Sequence, residues 1–240
     1  MQNARVTNLD DGAAMDVAQP ALLFDLDGTL IDSVYQHVIS WHEALSECGI
    51  PLAVWRIHRR IGMSGGLFLN ALRRETSVVL DEPTLQRLTA LHDEAFLRRA
   101  DTVTALPRAR ELLAYLHERE IPFAIATSGN IKTAGHGIAM LGIPDDVPIV
   151  TRDKVAKAKP DPHLFLAAAQ ALGADPAKSF VIGDSVWDLL AARRAGALGI
   201  GVLSGGYGRE ELFEAGAYRV YDDPAHMLEH LEDVGVRSDS

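Results

Sequence analysis

Lysine is scarce in this chain and unevenly placed. Five lysines (Lys132, Lys154, Lys157, Lys159 and Lys178) stand against 18 arginines, and none lies between Met1 and Ile131. Chemistry that needs a lysine amine in the first half of the chain is therefore excluded. Cysteine is almost absent. The single Cys48 rules out an internal disulfide and a cysteine-rich zinc site, and it predicts a reducing, cytoplasmic setting. Positive charge is not in surplus, with 33 acidic against 23 basic side chains and a formal charge of −10. That balance argues against a protein that grips a nucleic-acid backbone. No apolar run approaches the roughly 20 residues of a membrane span. The first twenty residues also lack the basic start and apolar run of a signal peptide.

What is present is an ordinary globular composition, 48% apolar and 23% charged over 240 residues, enough to bury a sizeable core. Residues 1–20 are polar, acidic and rich in small side chains, and they predict a disordered tail. Residues 21–24 form an unbroken apolar run, the pattern of a strand buried on both faces of a parallel sheet, and it stops at Asp25-Leu26-Asp27-Gly28. Residues 33–104 read as helices only. Val34, Val38, Trp41 and Leu45 recur at helical spacing up to Gly49, and further helices are predicted at 53–60, 67–75 and 81–99. From 105 onward helix and strand alternate. Strands are predicted at 121–126, 148–151, 179–182, 198–203 and 217–221, with helices at 107–119, 131–141, 186–195 and 224–232. One more helix is capped by Asp161, opened by Pro162 and ended by Gly173. The alternation predicts an α/β fold, a doubly wound parallel sheet built from residues 21–32 and 105–240. The all-helical block 33–104 is then a second domain, a lid over the strand ends.

In open α/β sheets ligands bind beyond the carboxyl ends of the strands. Four polar clusters fall there: Asp25 with Asp27, Thr127 with Ser128 and Gly129, Lys159, and Asp184 with Asp188. Each alone has a plain reading as a turn, a helix cap or a solvated lysine. Together they place four carboxylates in one crevice, which repel unless some are protonated or a cation sits among them. A hard, oxygen-seeking divalent ion answers that need, and Mg²⁺ takes few carboxylates plus waters and a phosphate. Thr127, the amides after it and Lys159 suit a phosphate dianion. The site reads as metal plus phosphate.

Asp25-Leu26-Asp27-Gly28-Thr29-Leu30, Thr127, Lys159-Pro160 and Gly183-Asp184-Ser185-Val186-Trp187-Asp188 resemble, in order, the four motifs of the haloacid dehalogenase superfamily phosphatases that carry an inserted helical cap. The likeness covers roughly residues 21–233. It implies that Asp25 is the nucleophile that forms an aspartyl-phosphate, and that Asp27 protonates the leaving alcohol and then activates water. It also implies that Mg²⁺ is held by Asp25, the main-chain carbonyl of Asp27 and Asp184, with Asp188 acting through water or behind them. Lys159 pairs with nucleophile and phosphate in this scheme.

In the cap, residues 59–66 resemble the specificity loop of phosphoglycolate phosphatases and β-phosphoglucomutases, which makes Arg60, Gly62 and Ser64 candidate substrate contacts beside Ser128 and Gly129. A helix stop with solvated arginines is the competing reading. His37 resembles, by spacing, a cap-hinge histidine of β-phosphoglucomutases, with a packed histidine as the alternative. The cap has no lysine for a Schiff base, which sets aside phosphonoacetaldehyde hydrolases. Asp27 sets aside the metal-free two-haloacid dehalogenases, and Gly65 stands where β-phosphoglucomutases have arginine. The expectation is a Mg²⁺-dependent phosphatase of a small phosphorylated metabolite, a phosphoglycolate or sugar phosphate. A phosphosugar mutase and a non-catalytic binding module are the alternatives, and monomer and homodimer are equally open. Residues 33–104 hold eight arginines and eight acidic residues, so the acidic excess belongs wholly to the rest of the chain.

Overall fold

The computed structural model describes residues 20–75 and 80–236. The tail predicted at 1–20 lies, apart from Pro20, outside the described residues. In chain order the elements are β1 (Ala21–Phe24), β2 (Ile31–Asp32), α1 (Val34–Glu47), α2 (Val54–His58), α3 (Gly65–Glu75), α4 (Glu82–Leu97) and β3 (Thr104–Ala105). There follow α5 (Ala109–Glu118), β4 (Phe123–Ala126), α6 (Ile131–Leu141), β5 (Ile149–Val150), α7 (His163–Ala171), β6 (Ser179–Gly183), α8 (Val186–Ala195), β7 (Leu198–Val202), α9 (Arg209–Glu214), β8 (Ala217–Tyr221) and α10 (Pro224–Leu228). No helix among the described residues is long and apolar enough to cross a membrane.

Six strands form one parallel sheet in the order β5-β4-β1-β6-β7-β8. The chain builds outward from β1 to β4 and β5, then returns to β6 and builds the other way. The switch point lies between β1 and β6, where a crevice opens at the carboxyl ends of doubly wound sheets. Both faces are covered, as the apolar run at β1 requires. Leu22 and Phe24 pack with Leu112, Leu116 and Met227 on one side, and Leu23 packs with Phe165, Ala168 and Ala192 on the other.

Helices α1–α4 sit between β2 and β3 and have a core of their own, in which Val34, Val38, Trp41 and Leu45 meet Ile57, Phe68, Leu72 and Leu88. The helical stripe read from the sequence is thus the inner face of α1. Asp81 caps α4 through Thr84 N, with proline in the first turn. Three expectations need correction. Residues 33–104 are not helical throughout, because Thr104 belongs to β3, which pairs antiparallel with β2 and joins both ends of the insertion. Two-residue strands carry no periodicity to read. Helix α7 starts one residue later than predicted, with Pro162 at the cap position and no side-chain cap bond, so Asp161 does not cap it. The helix predicted at 224–232 stops at Leu228, and a short 3₁₀ turn takes over at Leu231–Val234.

Candidate active site

The four polar clusters converge at the switch point. Asp25 follows β1 directly, and its N–H continues the ladder to Ile182 O at 2.8 Å. Gly28 turns the chain with φ of 77°, and a Cβ there would lie 2.7 Å from Asp184 Cγ, so only glycine lets the two acidic loops approach. Thr127 ends β4, and its N–H donates to Val150 O at 3.0 Å. Asp184 follows β6, and Asp188 lies in the first turn of α8, where its Oδ2 accepts from Ser185 N–H at 3.1 Å and from Ser185 Oγ. Lys159 comes from the loop before α7, wholly buried against Phe165. Its ammonium pairs with Asp25 Oδ1 and, at 2.7 Å, with Asp188 Oδ1.

The charges do not balance. Asp25, Asp184 and Asp188 each offer an oxygen within 4.8 Å of the others, all three residues are buried, and Lys159 supplies one positive charge among them. Burial pushes Asp25 up to about 7, with Asp188 and Asp27 adding to the effect and Lys159 opposing it. Burial and the charges of Asp188 and Asp25 likewise hold Asp184 well above the ordinary carboxylate range. Burial works against the charge of Lys159, but Asp188 and Asp25 outweigh it and hold the amine above its usual value. With all three carboxylates ionised, one ammonium leaves two negative charges, the complement of a divalent cation that would favour that ionised state. Asp184 Oδ1 is buried with neither a hydrogen bond nor an ion pair, while Asp188 Oδ2 accepts from Ser185 and Asp188 Oδ1 is ion-paired with Lys159. This donor set fits a hard metal ion, with the free oxygen of Asp184 as the ready ligand.

The packing around Asp184 is close. A Cβ on Gly205 would fall 1.7 Å from Asp184 Oδ2. Gly205→Ala is expected to displace that carboxylate and abolish any rise in Tm on adding Mg²⁺. Gly66→Ala, with open space at its Cβ, keeps the rise. Differential scanning fluorimetry of the two variants is the check.

Asp27 faces a different environment. Ser33 Oγ donates to its Oδ1 at 2.6 Å, and His37 Nε2 lies 3.2 Å from the same oxygen. Burial would raise its proton affinity, but the charge and hydrogen bond of His37 and the bond from Ser33 bring it down to about 2. Two neighbouring aspartates are thereby set apart, Asp25 up and Asp27 down, as paired carboxylates with separate tasks require.

Above these groups lies a cavity of about 300 Å³ lined by both aspartates, by the insertion and by the β4–α6 loop. His37, Arg60, Gly62, Ser128 and Gly129, candidate substrate contacts in the sequence, all line it. Arg60 is engaged by Glu75, and Gly129 N–H donates to Thr127 Oγ1 at 2.9 Å. Ser64 is not among the lining residues; its hydroxyl accepts from Leu67 N–H at 3.3 Å at the start of α3. Loop 59–64 is held to the sheet domain through its main chain and through the Arg59 side chain, which pairs with Glu211 and lies over the Tyr207 ring. Arg59 O accepts from Trp187 Nε1 at 3.3 Å and Tyr207 Oη at 3.0 Å, Gly62 O accepts from Ser128 Oγ at 3.2 Å, and Ser64 N–H donates to Lys159 O at 2.9 Å.

Comparison with known proteins agrees with this geometry. Residues 20–196 match the family described as haloacid dehalogenase-like hydrolase. The chain belongs to that family. Within it, hexitol phosphatase A of Escherichia coli is 32% identical over 176 residues, which is 72% of this chain and 78% of that protein. Phosphoglycolate phosphatase of Rhodospirillum rubrum is 30% identical over 221 residues, 88% of this chain and 90% of the relative. The crystal structure of a hydrolase from Pseudomonas syringae superposes with a TM-score of 0.87 at 51% identity, over 90% of this chain and 99% of that one.

Several residues at this haloacid dehalogenase-like site escaped the sequence reading. Ser33, just before α1, makes the short bond to Asp27. His92 and Asp93 sit mid-helix in α4 with no motif around them, yet both line the cavity. Asn130 caps α6, and its amide also donates across the cavity to Asp93 Oδ2 at 3.2 Å. Only the packing of α4 against α1 brings His92 and Asp93 in.

Proposed function

We propose that this protein is a Mg²⁺-dependent phosphatase that hydrolyses a small phosphorylated metabolite through an aspartyl-phosphate on Asp25. The observation that carries the reading is the buried cluster Asp25, Asp184, Asp188 and Lys159, two charges short of neutrality when its carboxylates are ionised, of which Asp25 opens with Asp27 onto the cavity. Mg²⁺, held by Asp25, Asp184 and the main chain at Asp27, supplies positive charge to the phosphoryl oxygens and lets two anions approach. Asp188 acts behind them, since Ser185 and Lys159 occupy its oxygens. The names of the relatives support a hydroxylated or carboxylated leaving group such as a hexitol or a glycolate.

Lys159 neutralises Asp25 and the incoming phosphate from below, and Thr127 with the amides after it binds phosphate oxygens. An Asp25 oxygen attacks phosphorus as the bond to the leaving oxygen breaks. Asp27 is ionised in the free site; a phosphate dianion beside it raises its proton affinity, and the proton it gains passes to the leaving oxygen. Asp27 then takes a proton from the water that attacks the acyl phosphate, which releases inorganic phosphate and restores Asp25. Residues 33–104 act as the cap that excludes bulk water during these steps, closing on the domain made by 21–32 and 105–240. We place the reaction in the cytoplasm, where the free thiol of Cys48 stays reduced.

A panel of phosphate monoesters, assayed with Mg²⁺ and with EDTA, tests this. Turnover of at least one ester that EDTA abolishes is expected. No turnover, or turnover indifferent to chelation, overturns the proposal, and isomerisation without free phosphate would make the protein a mutase. Stability offers a second check. Asp25 at about 7 and Asp184 above its usual range favour the metal-free fold at low pH, and that contribution is lost as pH rises through the raised values. Mg²⁺ is therefore expected to raise Tm more at pH 8 than at pH 5.

A further inference from the structure

Beyond Asp27 a line of hydrogen bonds runs out of the site into the helical insertion. His37 Nδ1 lies 3.1 Å from His92 Nε2, and His92 Nδ1 lies 3.2 Å from Asp93 Oδ1. We infer that His92 and Asp93 are positioning residues for Asp27, acting through His37 to fix which of its two oxygens works. The inference rests on the reading of Asp27 as the acid–base group.

The two oxygens of Asp27 are unequal. Oδ1 takes Ser33 Oγ at 2.6 Å and His37 Nε2 at 3.2 Å, whereas Oδ2 has only a long contact of 3.4 Å from Thr127 Oγ1. Oδ1 is pinned, and Oδ2 is left to exchange protons with the leaving oxygen and the water. Pinning succeeds only if the His37 ring is fixed both in tilt and in rotation. Stacking fixes the tilt: Phe96 lies on His37 at 3.9 Å between centroids and 6° between planes, and Trp41 lies on His92 at 4.2 Å and 19°. Stacked rings can still rotate in their own planes, so the rotation is set by the hydrogen bonds.

The direction of those bonds follows from the far end. Burial would raise Asp93, but the bonds from His92 and Asn130 and the charge of Lys132 hold it below the ordinary range, so its carboxylate only accepts. Burial pushes His92 down to about 4, which leaves a neutral ring with one N–H. Asp93 requires that N–H on Nδ1, and Nε2 is then a bare acceptor facing His37. His37 accordingly donates from Nδ1 to His92 and from Nε2 to Asp27. Asp93 is anchored in turn by Asn130 of the sheet domain, at 3.2 Å. The chain thus starts and ends on the sheet domain and passes through α1 and α4 between. A histidine packed for stability alone has no need of an ionised partner at each end of the pair.

Three variants of the full-length protein test this, assayed with Mg²⁺ and the best ester of the panel. His92→Phe keeps the stack and removes both bonds; kcat is expected to fall roughly 10- to 100-fold, with KM little changed. His92→Gln, whose amide can again meet His37, recovers part of the loss. Asp93→Asn can donate to His92 Nδ1, and ¹⁵N imidazole spectra are expected to show His92 moving from the Nδ1–H to the Nε2–H tautomer. Parental kcat in His92→Phe overturns the inference, whatever happens to its Tm. So does an Nε2–H tautomer of His92 in the parent. If the parent turns over no ester, the phosphatase reading fails and positioning for that reaction falls with it, while the spectra still decide whether Asp93 sets the tautomer.

Discussion

Asp25→Asn is expected to lower kcat by ~10³-fold or more, the scale of loss when a nucleophile is removed, without loss of folded protein. Asparagine keeps the shape and can still accept from Lys159, but it cannot attack phosphorus. The stability half of the expectation sets this variant apart from an ordinary core mutation. Asp25 is buried and held up at about 7, so its ionised form opposes folding above that pH when metal is absent. Removing the charge therefore leaves Tm at pH 8 unchanged or raised in EDTA, and it reduces the gain from Mg²⁺. Steady-state assays with thermal melts in EDTA and in Mg²⁺ check both halves. Substantial residual turnover would remove Asp25 from its assigned role.

Lys159→Met is expected to produce the largest stability effect. The side chain is wholly buried and pairs with Asp25 and Asp188. Methionine fills much of the same space against Phe165 but leaves three carboxylates with no internal cation. Breaking a buried pair on one side costs about 3–5 kcal/mol. The cost is pH-dependent in a definite sense. Asp25, held up at about 7, is protonated at pH 5, which leaves less charge unpaired, whereas at pH 8 it is ionised and the penalty grows. Urea titrations at the two pH values in EDTA are expected to show a larger loss at pH 8, with Mg²⁺ restoring part of it. Equal losses at both pH values would mean that Lys159 contributes packing, not charge.

The sheet was legible because each strand is short, apolar and buried on both faces, so the run 21–24 and its successors stand out from the helices between them. The motif aspartates were legible because they stand where those runs stop, and strand ends are where this architecture gathers its chemistry. The β2–β3 ribbon was not, since two residues carry no pattern. His92 and Asp93 were hidden for a different reason. They lie more than 50 positions from His37, inside a helix whose own spacing gives them no distinction, and only the packing of α4 on α1 brings them to the site. Ser64 shows the opposite failure: a residue placed in the right loop by sequence, whose hydroxyl is spent on the start of α3. Spacing marked His37 only as resembling a cap-hinge histidine, and the structure was needed to show that a single oxygen of Asp27 takes both Ser33 and His37.

Loop 59–64 is joined to the sheet domain through Arg59 O, Gly62 O and Ser64 N. These three atoms belong to the peptide backbone, which every side chain shares. The side chains at 60, 61 and 63 can therefore be exchanged while the insertion stays seated over the cavity, whereas Arg59, whose guanidinium pairs with Glu211, and Gly62, with φ of 88° and a Cβ position 2.8 Å from Ser185 Oγ, are fixed. New leaving groups become reachable by single substitutions that leave these contacts intact, so selectivity can drift over evolutionary time while the acidic cluster below stays fixed.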